Sequence, residues 1–151
     1  MKKIRYGIVG CGSIHKTHAD GIRGVDSAEL TGFYDTDFER SAKAAEAYGV
    51  TKANSLEELF GMVDAVTICL PSGLHADVTI LAARAGKHVL TEKPLEITLA
   101  KATMMVEECE RAGVKLGCIS QHRFAKDMQR LKAAVDAGEL GKLIQGDGSC
   151  I

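Results

Sequence analysis

The sequence predicts an α/β fold in which a parallel sheet is covered by helices on both faces. Three observations predict it. Short apolar runs with little polar alternation recur along the chain, which is typical of strands buried on both faces. Stretches with helical spacing lie between these runs, and glycines end several of them. The 151 residues contain no repeat and no linker-like segment, so most of them fit one domain that buries roughly 70% of its unfolded surface.

The first part of the chain alternates between strand and helix signals. Ile4–Val9 is an apolar run and the first predicted strand, and it leads directly into a glycine-rich turn. Helical spacing follows over 13–23, a second apolar run covers 29–34, and an alanine-rich helix is predicted over Phe38–Tyr48. A short element at 50–53 completes this first group.

Two helices and two strands are predicted in the middle of the chain. Ser55 and Glu58 form an S-x-x-E capping box, which predicts the start of a short helix. The near-continuous apolar run at 65–70 predicts a buried strand. A helix over 76–85 ends at a glycine, and the next strand covers 87–90.

The last part of the chain continues the alternation and then changes character. A helix over Leu99–Ala112 ends at a glycine, a strand is expected over 114–119, and a further helix over 127–137. The final stretch, KLIQGDGSCI at 142–151, has the pattern of one more strand. A terminal strand without a downstream partner would be an exposed edge, so we expect that a further part of the protein is missing.

Composition excludes several classes of function. The net charge of −1 gives no electrostatic reason to expect nucleic acid or an anionic membrane as a partner, and no apolar run approaches the roughly 18 residues of a membrane span. Five cysteines without a CxxC pair favour reduced thiols in the cytoplasm, and Cys69 and Cys118 are expected to be buried. His15 and His18 have no carboxylate or thiol at ligand spacing, so no metal is expected.

The turn after the first strand, GCGSIH, reads GxGxx followed by His15 instead of a third glycine. Gly10 would permit a tight turn, and Gly12 would let the backbone approach a pyrophosphate. The next helix would offer free N–H groups and the positive end of its dipole to that anion. His15 implies a slightly wider contact between helix and strand. An ordinary strand-to-helix turn without a ligand is the alternative.

Asp35 follows the second predicted strand, where dinucleotide-binding domains carry an acid. A carboxylate there accepts hydrogen bonds from the adenosine ribose and repels a 2′-phosphate, which favours NAD over NADP. The alternative is that Asp35 only caps the second helix, and both roles are compatible.

The loop after the strand at 65–70 also carries candidate site residues. Open α/β sheets bind ligands outside the carboxyl ends of their strands. Leu70 and Pro71 enter the loop, Ser72 can donate a hydrogen bond, and His75 opens the next helix. His75 has two open roles, which are to fill a polar gap or to contact a ligand.

The strand at 87–90 leads into Glu92, Lys93 and Pro94. Pro94 restricts Lys93 to extended geometry and prevents a helix from starting there. A long amine on such a rigid base can position charge at a reacting hydroxyl. A solvated surface lysine is the alternative.

Gln121 and Arg123 follow the strand predicted at 114–119. Both could border the same crevice at the carboxyl ends of the strands. Arg123 could instead tether the last helix to the sheet.

Together these residues resemble the Gfo/Idh/MocA oxidoreductases, the family of glucose–fructose oxidoreductase and inositol 2-dehydrogenase. The resemblance rests on GIVGCGSIHKTHAD, Asp35, LPSGLHADV, AGKHVLTEKPLEITL and QHRF followed by GELGKLI. It implies a Rossmann domain over 1–124, with a doubly wound parallel sheet. It also implies that 125–151 is a connecting helix and the first strand of a truncated C-terminal domain, whose substrate-binding remainder is absent.

The resemblance further implies an NAD site, with NADP as the less favoured cofactor. Lys93 is the implied catalytic residue and would touch the substrate hydroxyl. The residues implied to bind the cofactor are Gly10, Gly12, Ser13, Ile14, Asp35, Leu70, Pro71, Ser72, His75, Glu92, Lys93, Pro94, Gln121 and Arg123.

The implied reaction is the oxidation of a CH–OH group of a sugar, a cyclitol or a nucleotide-linked sugar. The family's other catalytic residues, an aspartate and a histidine, come from the second domain, and His122 is at the wrong place to substitute. We therefore expect NAD binding with little or no turnover by this chain alone, and a homo-oligomer fits the family. Three alternatives stay open: a stand-alone dinucleotide sensor, a relative of NAD-dependent glycosidases, and a methyl-transfer enzyme with a similar turn.

Overall fold

The computed structural model describes residues 2–148. The chain forms two compact units, one ending at Ile119 and the other starting at Ser120. The elements of the first unit are β1 (Ile4–Val9), α1 (His15–Arg23), β2 (Ala28–Tyr34), α2 (Phe38–Tyr48), β3 (Thr51–Lys52), α3 (Leu56–Met62), β4 (Ala65–Ile68), α4 (His75–Arg84), β5 (His88–Thr91), α5 (Leu99–Ala112) and β6 (Leu116–Cys118). The second unit contains a 3-10 turn at Gln121–Phe124 and α6 (Lys126–Asp136).

The six strands form one parallel sheet in the order β3-β2-β1-β4-β5-β6. From β1 the chain adds β2 and β3 on one side. It then returns to the other side of β1 and adds β4, β5 and β6 in that order. Neighbouring strands β1 and β4 therefore form the topological switch point, where open α/β sheets bind their ligands. The predicted fold class, a doubly wound parallel sheet, is confirmed.

Two hydrophobic cores cover the two faces of this sheet. Ile8 and Val9 are adjacent in β1 but belong to different cores, because successive strand side chains point to opposite faces. The Ile8 core includes residues of α1 and α2, and the Val9 core includes residues of α3 and α4. Burial on both faces explains why the strands lack polar alternation in the sequence.

Side-chain caps close in sequence fix the starts of α2 and α3. Asp37 accepts hydrogen bonds from the N–H groups of Glu39 and Arg40 and caps α2. Ser55 caps α3 by accepting from the N–H of Glu58, as the capping box predicts. The returning bond of Glu58 goes to the N–H of Asn54, at 2.7 Å, and not to the cap residue itself.

Strand boundaries differ from the prediction where pairing ends. β4 ends at Ile68, where its register with both neighbours ends, at Val9 of β1 and at Thr91 of β5. β6 covers three residues and, within residues 2–148, pairs with β5 alone, so it is the edge strand of the described sheet. Cys118 is exposed there, and the expectation that it would be buried is wrong, whereas Cys69 is buried as expected.

The strand predicted at 142–151 is wrong for the part that can be described. Residues 142–148 belong to no helix or strand, and 149–151 lie outside the described residues. A strand needs a neighbour to pair its backbone N–H and C=O groups, and 142–148 have no such neighbour within 2–148. The domain assignment of 1–124 and 125–151 stays a prediction.

None of the helices found between residues 2 and 148 is long and apolar enough to cross a lipid bilayer.

Candidate functional site

The glycine-rich turn follows β1 directly and is shaped by Gly10. Gly10 has φ +94°, and a Cβ there would lie 2.7 Å from the carbonyl oxygen of Cys69. Its N–H donates to the carbonyl of Tyr34 at 2.8 Å, which joins the turn to the end of β2. Both the backbone conformation and the proximity of the Cys69 backbone therefore require glycine at this position.

Three backbone N–H groups of the turn, those after Cys11, are free to bind a ligand. Within residues 2–148, the N–H groups of Gly12, Ser13 and Ile14 donate to no protein acceptor. A Cβ added at Gly12 would meet no atom within 4 Å, so the space in front of it is open. The adjoining α1 adds the positive end of its dipole, and the turn has the donors and the room that a diphosphate needs.

His15 stands where a third glycine would allow close packing of helix and strand. The side chain is buried, and its ring meets the edge of Phe33 with centroids 5.8 Å apart. Its Nδ1 contacts the carbonyl oxygen of Gly12. His15 thus fills the interface between α1 and the sheet, a packing role that the motif alone does not reveal.

Asp35 lies immediately after β2 and is joined to the glycine turn. One carboxylate oxygen accepts from the N–H of Cys11 at 2.6 Å, and the other accepts from the N–H of Asp37 at 2.8 Å. Because Asp37 caps α2, the structure does not give Asp35 the alternative role of capping this helix. The half-buried Asp35 carboxylate retains lone pairs for further donors.

Two buried thiols lie at this end of the sheet, that of Cys11 in the turn and that of Cys69 directly after β4. Burial raises the pKa of both Cys11 and Cys69 to about 12, with nearby carboxylates adding to the effect. Both therefore stay protonated near neutral pH and act as small core side chains.

In the β4–α4 loop Pro71 is exposed, Leu70 and Ser72 are half-buried, and His75 at the start of α4 lies inside. His75 is 0% exposed. Its Nε2 lies 2.9 Å from the carbonyl oxygen of Leu70, and its Nδ1 lies 3.0 Å from that of Pro94. Of its two open roles, the structure shows the filling of a polar gap, while ligand contact by His75 stays a prediction.

The β5–α5 loop holds Lys93 at the carboxyl edge of the sheet. Glu92 continues the β5 pairing through its N–H to the carbonyl of Ile68, at 3.0 Å. Its carboxylate accepts from the N–H of Lys93 and lies 2.7 Å from Nε2 of His18. The Lys93–Pro94 peptide bond is cis. The Lys93 side chain is exposed and forms no hydrogen bond or ion pair within residues 2–148, so its amine is available.

The pairing of His18 with Glu92 was missed at the sequence level. Their side chains are only 10% and 14% exposed, and they join α1 to the end of β5 across 74 positions of sequence. Only the topology could have indicated this pair, because α1 begins and β5 ends at the carboxyl edge of the sheet.

Gln121 and Arg123 belong to the second unit. Both are exposed in its 3-10 turn, and Arg123 borders an open groove of about 570 Å³ against α6. Their placement at the cofactor site stays a prediction. Within 2–148, no group of three histidine, cysteine or acidic side chains could hold a metal ion.

Comparison with known proteins identifies the family. The model of the Gfo/Idh/MocA oxidoreductase family, described as its NAD-binding Rossmann fold, matches residues 4–120. This chain belongs to the Gfo/Idh/MocA family. The glycine turn, Asp35 and the Lys93 loop all lie within the matched part, which is the NAD-binding domain of these oxidoreductases.

Individual Gfo/Idh/MocA relatives agree with this assignment. Myo-inositol 2-dehydrogenase of Thermotoga maritima is 37% identical over 142 residues, which cover 92% of this chain and 42% of that protein. The WlbA dehydrogenase of Bordetella pertussis, solved with NADH and UDP-GlcNAcA, has a TM-score of 0.90 and 38% identity, covering 93% and 42% of the two chains. An oxidoreductase of Desulfitobacterium hafniense described as NADPH-dependent has a TM-score of 0.90 and 25% identity, covering 94% and 42%.

The chain therefore spans about 42% of the length of these Gfo/Idh/MocA relatives. The family includes members described with either nicotinamide dinucleotide. Residues of this chain fit such a cofactor, because the open turn at Gly12 offers free N–H donors and Asp35 lies beside it.

Proposed function

We propose that this chain binds NAD(H) and is the nucleotide-binding part of an oxidoreductase acting on a CH–OH group of a sugar, a cyclitol or a nucleotide-linked sugar. The observation that carries the proposal is the open glycine turn, where three N–H groups donate to no acceptor within residues 2–148 and the space in front of Gly12 is open. Relatives named for inositol oxidation or solved with a nucleotide-linked sugar support the substrate class. A homo-oligomer and a cytoplasmic location belong to the same proposal.

The adenosine half of the dinucleotide would lie over the ends of β1 and β2. The N–H groups of Gly12, Ser13 and Ile14 would bind the diphosphate, and the Asp35 carboxylate would accept hydrogen bonds from the ribose. Asp35 carries negative charge where a 2′-phosphate would come. Arg40, the first cation along α2, is paired with Asp37 at 3.0 Å. Preference for NAD over NADP follows from this arrangement.

The nicotinamide half would lie over the ends of β4 and β5, where Leu70, Pro71 and Ser72 line one side. The nicotinamide ring supplies the hydride chemistry when the cofactor is bound. Lys93 would donate a hydrogen bond to the substrate hydroxyl and stabilise negative charge that develops on its oxygen. Turnover also requires a group that takes the hydroxyl proton, and we assign no such base to this chain.

Calorimetric titration with NADH tests the proposal. We expect saturable binding, weaker binding of NADPH, and little or no oxidation of sugars or inositols by the chain alone. Gly12→Ala places a methyl group where the diphosphate would approach, so we expect about tenfold weaker binding with the fold unchanged. Gly21→Ala is the matched control, because its Cβ also meets open space but lies within α1, away from the turn. Absence of NADH binding would refute the proposal.

A further inference from the structure

Glu96, an acid outside the glycine motif, caps helix α4 although it lies in a different loop. The N-cap residue of α4, Leu74, makes no side-chain capping bond. Glu96, in the β5–α5 loop, instead accepts from the N–H of Ala76 at 3.0 Å, and its other oxygen accepts from the N–H of Ile97 at 2.7 Å. Glu96 is 9% exposed, so a buried carboxylate from one loop caps the helix that follows the other loop.

Three further contacts join the two loops or the first turns of the helices that follow them. His75, at the start of α4, reaches the carbonyl oxygen of Pro94, which directly follows Lys93. The Nζ of Lys101 donates to the carbonyl of Gly73 at 3.3 Å. A Cβ at Gly73 would lie 3.3 Å from the Ile97 side chain, so these segments are closely packed. We call Glu96 and His75 together the loop clasp.

The charge of Glu96 suits this role. Burial, the largest single influence, raises the pKa of its carboxyl group, whereas the hydrogen bonds from the Ile97 and Ala76 N–H groups lower it. The nearby charge of Lys101 lowers it further, and the pKa ends below its usual value. Glu96 is therefore ionised near neutral pH, which strengthens both hydrogen bonds and suits the positive end of the α4 dipole.

We infer that Glu96 is a positioning residue that, through the loop clasp, sets the spacing between the Ser72 loop and Lys93. The inference rests on the proposed function, because these two loops would flank the nicotinamide. The Lys93 backbone is held on one side by the Glu92 carboxylate and on the other through Pro94 by the clasp. The Lys93 side chain itself has no partner within 2–148, so its position depends on its backbone.

The clasp shares no residue with the adenosine half of the site. The glycine turn and Asp35 are joined to each other, at the ends of β1 and β2. Loosening the clasp should therefore weaken contacts to the nicotinamide half and leave those to the adenosine half intact. A cap that only stabilises α4 would produce no such difference.

The test compares NADH with ADP-ribose, which lacks the nicotinamide. Glu96→Gln keeps the size of the side chain but loses its charge and one acceptor. We expect about fivefold weaker NADH binding, about tenfold for Glu96→Ala, and less than about twofold change for ADP-ribose in both. Glu110→Gln, at an exposed position of α5, is the matched control and should change neither affinity. Hydrogen exchange at the Ala76 amide should rise in Glu96→Gln.

Each outcome decides the matter. Equal weakening of both ligands, or no change in either while the melting temperature falls, would overturn the inference and leave a purely structural cap. Failure of the unmodified chain to bind NADH would instead refute the proposed function. If the Glu96 variants do not fold, Lys101→Met removes the contact to Gly73 from a half-exposed position, and it should show the same selective loss at about twofold. If Lys101→Met showed no selective loss of NADH affinity, the inference would equally be overturned.

Discussion

The two halves of the candidate site are built in different ways. The adenosine half, at the ends of β1 and β2, uses backbone N–H groups of one short turn and a single carboxylate. The nicotinamide half, at the ends of β4 and β5, consists of two loops held together by buried side chains about 20 positions apart. The first half is thus fixed by local backbone geometry, and the second by tertiary contacts. Substitutions should affect the two halves differently.

The largest effect is expected at the glycine turn itself. Gly10→Ala forces a side chain into φ +94° and places its Cβ 2.7 Å from the carbonyl oxygen of Cys69, the residue that follows β4. We expect a loss of about 3 kcal/mol in the free energy of unfolding, together with loss of NADH binding. Chemical denaturation measures the first effect. A loss below about 1 kcal/mol would show that the turn adapts easily and that the adenosine half is not fixed by backbone geometry.

A smaller effect is expected at the connection between the halves. His18 belongs to α1 and Glu92 to the end of β5, and the His18→Leu variant leaves the mostly buried Glu92 carboxylate without this partner. We expect a loss of about 2 kcal/mol in unfolding free energy and weaker binding of both NADH and ADP-ribose. His18→Gln, which can still donate to Glu92, should recover part of both. No recovery would contradict a hydrogen-bonding role.

Asp35 tests the chemical selectivity of the adenosine half. Asp35→Ala removes the acceptor for the ribose and the charge that would repel a 2′-phosphate. We expect about tenfold weaker NADH binding and a smaller difference between NADH and NADPH. Asp26→Ala, at an exposed position before β2, is the control. An unchanged ratio of the NADH and NADPH affinities would show that Asp35 does not determine the preference for NAD.

The smallest effect on binding is expected at the opposite edge of the sheet. Arg5 donates two side-chain hydrogen bonds to Asp64, at 2.7 and 3.1 Å, and this pairing holds the pKa of Asp64 well below its usual range. A lowered folded-state pKa contributes stability above the unfolded value of about 4, and this contribution is lost as the pH falls below it. Asp64→Asn should flatten the fall in stability at acid pH without changing NADH affinity at neutral pH. An unchanged acid profile would contradict the role of this pair.

The same contrast explains what the sequence could predict. The sheet class, most helices, the Ser55 cap and the glycine turn depend on neighbours close in sequence, and these predictions are confirmed. The capping role of Glu96 and the pairing of His18 were not predicted, because their partners lie 20 and 74 positions away. Such contacts become visible only when the strand order is known.

Two errors have a related cause. Cys118 lies in an apolar run but on the edge strand β6, so apolar sequence did not guarantee burial. The tail at 142–148 has a strand pattern without a pairing neighbour within the described residues. In both cases the local pattern is apolar or strand-like, but burial or strand formation depends on a neighbouring element.

The central claim is that the free N–H groups after β1 bind the diphosphate of a dinucleotide. Amide-resolved NMR during titration with NADH tests it most directly. We predict that the amide signals of Gly12, Ser13 and Ile14 shift most and saturate together with the calorimetric isotherm. Saturable NADH binding that leaves these three signals unchanged would contradict the claim.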